Sequence, residues 1–224
     1  MRKKARFTLI VVTVLGVLAA AAFAVYRALQ HVPDFYAEAI SIPPESQAKE
    51  SDHMLQQVTK LHNDLQLQGR WQHVFKTQTI NGWLAVDLPQ NHPTLLSHGL
   101  HDPRVRISPQ GMTMACRVDR GGMHGVVSLE VSPFVESPDV VGLRVHEARI
   151  GAIPWPLQNV LDRIADAAKK ASVDIRWRQE DNDPVALIKI TPAKADGKRI
   201  VHIDTIRLEE GALVVAGTTE KSPK

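Results

Sequence analysis

One cysteine, Cys116, stands in the 224 residues, so no intrachain disulfide can form. Beyond Gln30 no stretch is apolar and uninterrupted enough to span a bilayer. The chain has no internal repeat and no low-complexity tract. It also has no Gly-x-Ser-x-Gly elbow, which argues against a nucleophile mounted on a strand-to-helix turn. Gly121-Gly122 and Gly125 are followed by no lysine-serine pair, so they read as a hairpin rather than a phosphate loop. Asp181-Asn182-Asp183 opens like a calcium loop, but Pro184 follows and no glutamate arrives at the required distance. That tripeptide reads as a hairpin turn.

What is present begins at the first residues. Arg2, Lys3, Lys4 and Arg6 precede an uncharged apolar run from Phe7 to Val25, closed by Tyr26 and Arg27. As a helix the run is about 28 Å long, close to the thickness of a bilayer core. The excess of basic residues before the span predicts a cytoplasmic N-terminus and an exported remainder, a single-pass protein of the cell membrane. A cleavable signal peptide competes, with Ala22-Phe23-Ala24 as a small-x-small site. The apolar stretch is longer than an ordinary signal core, and no polar segment separates it from that site, which favours a retained anchor. Both readings export the domain, and exported bacterial proteins commonly lack disulfides.

The net charge of +3 belongs to this anchor. Five of the 27 basic residues lie in it with no acid, leaving 22 basic and 24 acidic residues after it, a net of −2. A nucleic-acid partner is therefore not expected, since no basic patch remains to meet phosphate. The organisation expected is a basic region 1–6, an anchor 7–29, a linker 30–44 containing Pro33, Pro43 and Pro44, one domain 45–219 and a polar tail 220–224.

Glu45 to Gln68 reads as an amphipathic helix packed on the domain, with Leu55, Val58, Leu61 and Leu65 as its stripe and Ala48 and Ser51 extending it. Pro44 suits its first position and Gly69 its C-terminal cap. A strand over Trp71–Gln78 leads into a short helix from Ile80 to Val86. From Arg104 onward, alternation and turns every 10–15 residues predict strands near 104–107, 112–118, 125–131 and 140–150. Pro156 opens a helix striped by Leu157, Val160, Leu161, Ile164, Ala168 and Ala171. Strands follow at 173–178, 185–190, 200–208 and 212–217. Helix, strands, helix, strands predicts an α+β fold, its mostly antiparallel sheet packed with amphipathic helices behind one N-terminal transmembrane helix.

Chemistry-bearing clusters are few. His92, His98, His101 and Asp102 are the densest, but they match no ligand spacing and sit in a loop with Pro93, Gly99 and Pro103. Ser97 lacks an elbow. Cys116 falls mid-strand and reads as a small buried hydrophobe. Asp162 and Asp166 occupy the wet face of a helix. No metal, no cofactor and no catalytic set is expected.

Two segments carry a resemblance. One is Phe75-Lys76-Thr77-Gln78-Thr79-Ile80-Asn81-Gly82-Trp83-Leu84; the other is Arg149-Ile150-Gly151-Ala152-Ile153-Pro154-Trp155-Pro156-Leu157. With the anchor and the closing Leu208–Gly217 strand pair, the chain resembles small anchored bacterial proteins of the YpmS type and, more distantly, TULIP-like lipid-binding proteins. The resemblance implies a long helix in a strongly curved antiparallel sheet with an apolar groove between them, and no activity to carry over. Trp83, Leu84, Leu95, Leu96, Trp155, Leu157, Leu161 and Ile164 are the groove candidates. The same residues would fill an ordinary core equally well. The expectation is a non-enzymatic, membrane-anchored extracytoplasmic domain binding a lipid or other apolar ligand. The alternatives are an envelope scaffold that holds a protein partner and a metal-dependent hydrolase built on the histidine loop.

Overall fold

The computed structural model describes residues 2–96, 99–120, 123–137, 139–170, 173–181, 183–189, 194–195 and 199–221. The chain runs α1 (Arg2–Leu29), α2 (Asp34–Ile40), α3 (Pro44–Leu65), β1 (Gly69–Lys76), α4 (Thr77–Ala85), α5 (Asp87–Asn91), β2 (Leu100–Ser108), β3 (Gly111–Arg120), β4 (Met123–Ser137), β5 (Val140–Ile150), β6 (Ile153–Pro154), α6 (Leu157–Lys170), β7 (Ile175–Glu180), β8 (Asp183–Lys189), β9 (Lys194–Ala195), β10 (Arg199–Glu209) and β11 (Ala212–Lys221). The α+β class and antiparallel pairing hold.

The strands divide between two sheets rather than forming one. The larger has the order β2-β3-β4-β5-β8-β7, with β6 paired to β5, and the smaller has β1-β11-β10-β9. The split arises because β1 pairs along its whole length with β11, from Gly69 opposite Thr219 to Lys76 opposite Ala212. The first and last strands of the domain are thereby zipped together, and at the β10–β11 turn the Gly211 N–H donates to Ile107 O of β2 at 3.0 Å. A Cβ on Gly217 would run into the Trp71 ring and the His202 carbonyl, so glycine is what lets β1, β10 and β11 close up.

Val105, Ile107, Val131, Val145 and Ala148 are buried on one face of the larger sheet. Their alternation with Arg106, Glu130, His146 and Arg149 leaves the opposite, outer face polar, as expected for an antiparallel sheet with one wet side. The wet face is not bare. The segment 30–44, expected as a linker, contains α2, and Tyr36 at 0% exposure packs against Ala115 and Val126 on that face. Phe35, Tyr36, Ala39 and Ile40 give even this short helix an apolar side, which its flanking prolines obscure in the sequence.

Two further expectations change. Thr219 is 1% exposed and β11 pairs as far as Lys221, so the tail is strand through that residue. Helix α3 meets α4 where Gly82 lies against Glu50 and Ser51, so close that a Cβ would not fit. Ser51, at the N-terminal extension of the expected stripe, is buried in this contact, while Leu55 and Val58 farther along the stripe stay 42% and 45% exposed. Gly121-Gly122, Asn182, Ile190 and Ala171 lie outside the described residues.

Candidate functional site: the polar sheet face under the N-terminal helix

The last turn of α1 rests on the ends of β4 and β5. Gly151, in the tight turn from β5 to β6, has φ +59° and touches the Ala28 carbonyl, so a side chain there would be both strained and obstructed. The next N–H, of Ala152, donates to that same Ala28 carbonyl at 2.8 Å. A helix ends with carbonyls that lack intrahelical partners, and here the domain's own backbone supplies one. Four residues after Leu29 the chain bends at Pro33 into α2, where the Tyr36 hydroxyl donates to the Asp102 carbonyl at 2.9 Å. Helix, elbow and sheet are therefore joined at three points.

A cleft of about 350 Å³ opens between this elbow and the outer face. Its chemistry is set by Asp34, Arg106, Glu130, Glu147 and Arg149, with the Thr113 and Ser128 hydroxyls between them. Register explains the convergence: Arg106 lies opposite Thr113, Thr113 opposite Glu130 and Glu130 opposite Glu147, a row across four strands. Arg149 is spoken for by Glu147 at 2.8 Å. Arg106 lies over the Phe35 ring, 4.9 Å from its centroid, and has no carboxylate partner among the described residues. Glu130 likewise has no cationic partner among them, although Glu147 faces it directly, an arrangement that like charges disfavour.

Farther along the same face three side chains form a relay. His146 Nδ1 is 2.9 Å from Asp183 Oδ2, and His146 Nε2 is 2.9 Å from Ser132 Oγ. With the carboxylate accepting Nδ1–H, the Nε2 lone pair is left to accept the serine hydroxyl, the polarity a serine nucleophile needs. The surroundings argue for a structural clip. Ser132 sits mid-strand in β4, flanked by β3 and β5, and its Oγ lies 3.2 Å from the Gln110 carbonyl. Histidine–aspartate pairing is also this chain's habit: His73 meets Asp64 and His202 meets Asp139, both at 2.9 Å, and His124 meets Asp119 at 3.0 Å. Sequence reasoning missed the relay because residues 132, 146 and 183 become neighbours only through strand register.

The expected groove residues fall into two groups. Trp83 and Leu84 ride on α4, with the His92 ring 5.9 Å from that of Trp83. Leu96 follows the single turn at Pro93–Leu95, and the Leu95 side chain lies outside the described set. Trp155 precedes α6 and donates its backbone N–H to Ala148 O at 2.7 Å, while Leu157, Leu161 and Ile164 sit on α6 itself. Leu161 lines a cleft with Trp177 and Pro184. In the histidine loop, His92 Nε2 is 3.7 Å from Asp87 and His101 is exposed on β2, while Ser97 and His98 lie outside the described residues. Asp102 pairs with Arg117 at 3.4 Å. Among the described residues no three His, Cys, Asp or Glu side chains are placed to hold a metal ion. Burial pushes the Cys116 thiol up to about 11, in keeping with an inert side chain.

Together these features define an α+β protein of two antiparallel sheets whose apolar N-terminal helix is fastened to the polar face of the larger one. No family model, curated protein or solved structure matches the chain.

Proposed function

We propose that the protein is a single-pass, membrane-anchored extracytoplasmic domain that binds lipid at the bilayer surface, acting by binding rather than catalysis. The observation that carries this reading is the joint between α1 and the sheet. Val14, Leu15, Leu18 and Phe23 stand 51–65% exposed on α1, although the helix end is fixed to the domain through Ala28, Ala152 and Gly151. Apolar side chains held outward on a fixed helix call for an apolar surrounding. Among the described residues no single helix is long and apolar enough to cross a membrane alone; Thr13–Leu29 and Asp34–Ile40, bent by 48°, meet that test together. Tyr36 commits α2 to the domain, which leaves α1, with the apolar sequence from Phe7, as the segment available to a bilayer.

The test has two parts. Full-length protein should stay with membranes through alkaline carbonate extraction, and protease added outside should digest the domain. Native mass spectrometry of the detergent-solubilised full chain should then show retained phospholipid. Release by carbonate would refute the anchor, and repeated absence of any lipid would refute the binding.

A second reading, an envelope interaction module, is favoured by Leu55 and Val58 exposed together on α3. In that case a photocrosslinker at position 55 traps one discrete protein in cells, and a smear or nothing removes the reading.

A further inference from the structure

We propose that the cleft at the elbow of α1 and α2 is a headgroup site for a zwitterionic phospholipid bearing a primary ammonium, with Arg106 receiving the phosphodiester and Glu130 the ammonium. This rests on the lipid-binding reading above and specifies its site and ligand class.

Position supports it first. The apolar run ends at Val25, and four more residues bring α1 to its end at Leu29. At the helical rise these add about 6 Å, comparable to the depth of the polar layer on each side of a bilayer core. His31 and Pro33, which line the cleft, follow at once. The fixed joint at Ala152 keeps the cleft at that level rather than on a swinging tether.

Charge selects the ligand. Arg106 and Arg149 face Asp34, Glu130 and Glu147, a balance of −1 that does not suit a purely anionic ligand. Arg149 is matched by Glu147 and the unpaired Asp34 sits on the elbow, so on the sheet row itself Arg106 and Glu130 are the unpaired charges of opposite sign. They lie two strands apart with Thr113 between, so their Cα atoms are separated by about 10 Å, a gap two long side chains can narrow around a small zwitterion. A guanidinium takes a phosphodiester through paired N–H donors, and Phe35 beneath it fixes the plane of that fork. An ammonium at Glu130 also relieves the repulsion from Glu147. Ethanolamine is favoured over choline because a primary ammonium donates hydrogen bonds to a carboxylate. The Phe35 ring, already under Arg106, is not free to build an aromatic cage for a quaternary one.

The experiment loads the full chain in nanodiscs containing equal amounts of phosphatidylethanolamine, phosphatidylcholine and phosphatidylglycerol, and counts retained lipid by native mass spectrometry. Phosphatidylethanolamine should exceed phosphatidylglycerol at least fivefold. Arg106→Gln should lower its retention at least fivefold, and Arg106→Lys should restore part of it. Glu130→Gln, which breaks no internal pair, should narrow the preference over phosphatidylglycerol to within twofold. Soluble glycerophosphoethanolamine should displace the retained lipid, and glycerophosphate should not. Lipid retained without headgroup preference, and unchanged in both variants, overturns this site but leaves the lipid reading standing. No retained lipid of any class sinks both. Soluble compound bound in a protein that holds no lipid assigns the cleft to a free ligand and also overturns the proposal.

Discussion

The carbonyl of Ala28, at the end of α1, accepts the backbone N–H of Ala152 across the β5–β6 turn at 2.8 Å. Gly151 makes that approach possible, with φ +59° and its α-carbon against the same carbonyl. Gly151→Val should break the joint, since it adds left-handed strain of about 1–2 kcal/mol to a steric conflict of about 1–3 kcal/mol. Limited proteolysis should cut near His31 many times faster in the variant, while its domain still melts cooperatively. Unchanged cleavage would show that α1 is not held there.

Asn81 plays the part of a strand at the open edge of β2. Its side-chain oxygen accepts from Val105 N–H at 2.7 Å, its amide donates to Val105 O at 2.8 Å, and the residue is 6% exposed. Asn81→Ala leaves both Val105 groups buried without partners, each costing about 1–3 kcal/mol. Urea unfolding should show a midpoint loss worth about 2–4 kcal/mol. Asn81→Asp should also destabilise near neutral pH, because a carboxylate cannot donate to the Val105 carbonyl. A loss below about 0.5 kcal/mol in Asn81→Ala would refute the bridging role.

Tyr36 separates packing from hydrogen bonding within one residue. Tyr36→Phe removes only the bond to Asp102 O and should cost about 1 kcal/mol. Tyr36→Ala also empties the space above Ala115 and Val126 and should cost about 3–5 kcal/mol. Near-equal losses in the two variants would mean that α2 is a tether and not part of the core.

The relay of Ser132, His146 and Asp183 is expected to act as a unit that braces β4, β5 and β8. Ser132→Ala and Asp183→Asn should each cost about 1 kcal/mol, and in a His146→Ala background each should cost close to nothing. Additive losses would deny the network. Labelling of Ser132 by a fluorophosphonate probe, abolished in Ser132→Ala, would contradict the structural role and make the serine a nucleophile.

Element types were readable because the residues that set them are local. Pro44 starts α3, Gly211 at φ +69° turns β10 into β11, and the strand expected over 140–150 has the same bounds as β5. Pairing was not readable, because β1 and β11 find each other across more than 130 residues of chain and neither carries a mark of its partner. The stripe on α3 misled for a related reason. Helical spacing shows where apolar residues gather, but the crossing point was decided by the absence of a side chain at Gly82. The polar cleft was invisible for the same cause as the relay: Arg106, Thr113, Glu130 and Glu147 are unremarkable wet-face residues until register lines them up.

Cys116 gives a pH prediction of definite sign. Burial raises its thiol from an ordinary value of 9.0 to about 11, and burial also raises the Tyr36 phenol, with Asp102 adding to it. Both groups are held neutral in the fold. Above pH 9 the unfolded chain gives up the thiol proton while the folded chain keeps it, so stability is full below pH 9 and is lost as pH rises toward 11. The thiol's share of that loss is on the order of 2 kcal/mol. Urea midpoints taken from pH 8 to 10.5 should fall for the full chain and fall less steeply for Cys116→Ala. In the native protein the thiol should also react with a disulfide reagent at pH 8 at least tenfold more slowly than after unfolding. Parallel pH profiles for the two proteins, or fast native reaction, would place Cys116 at the surface and undo the packing assigned to β3.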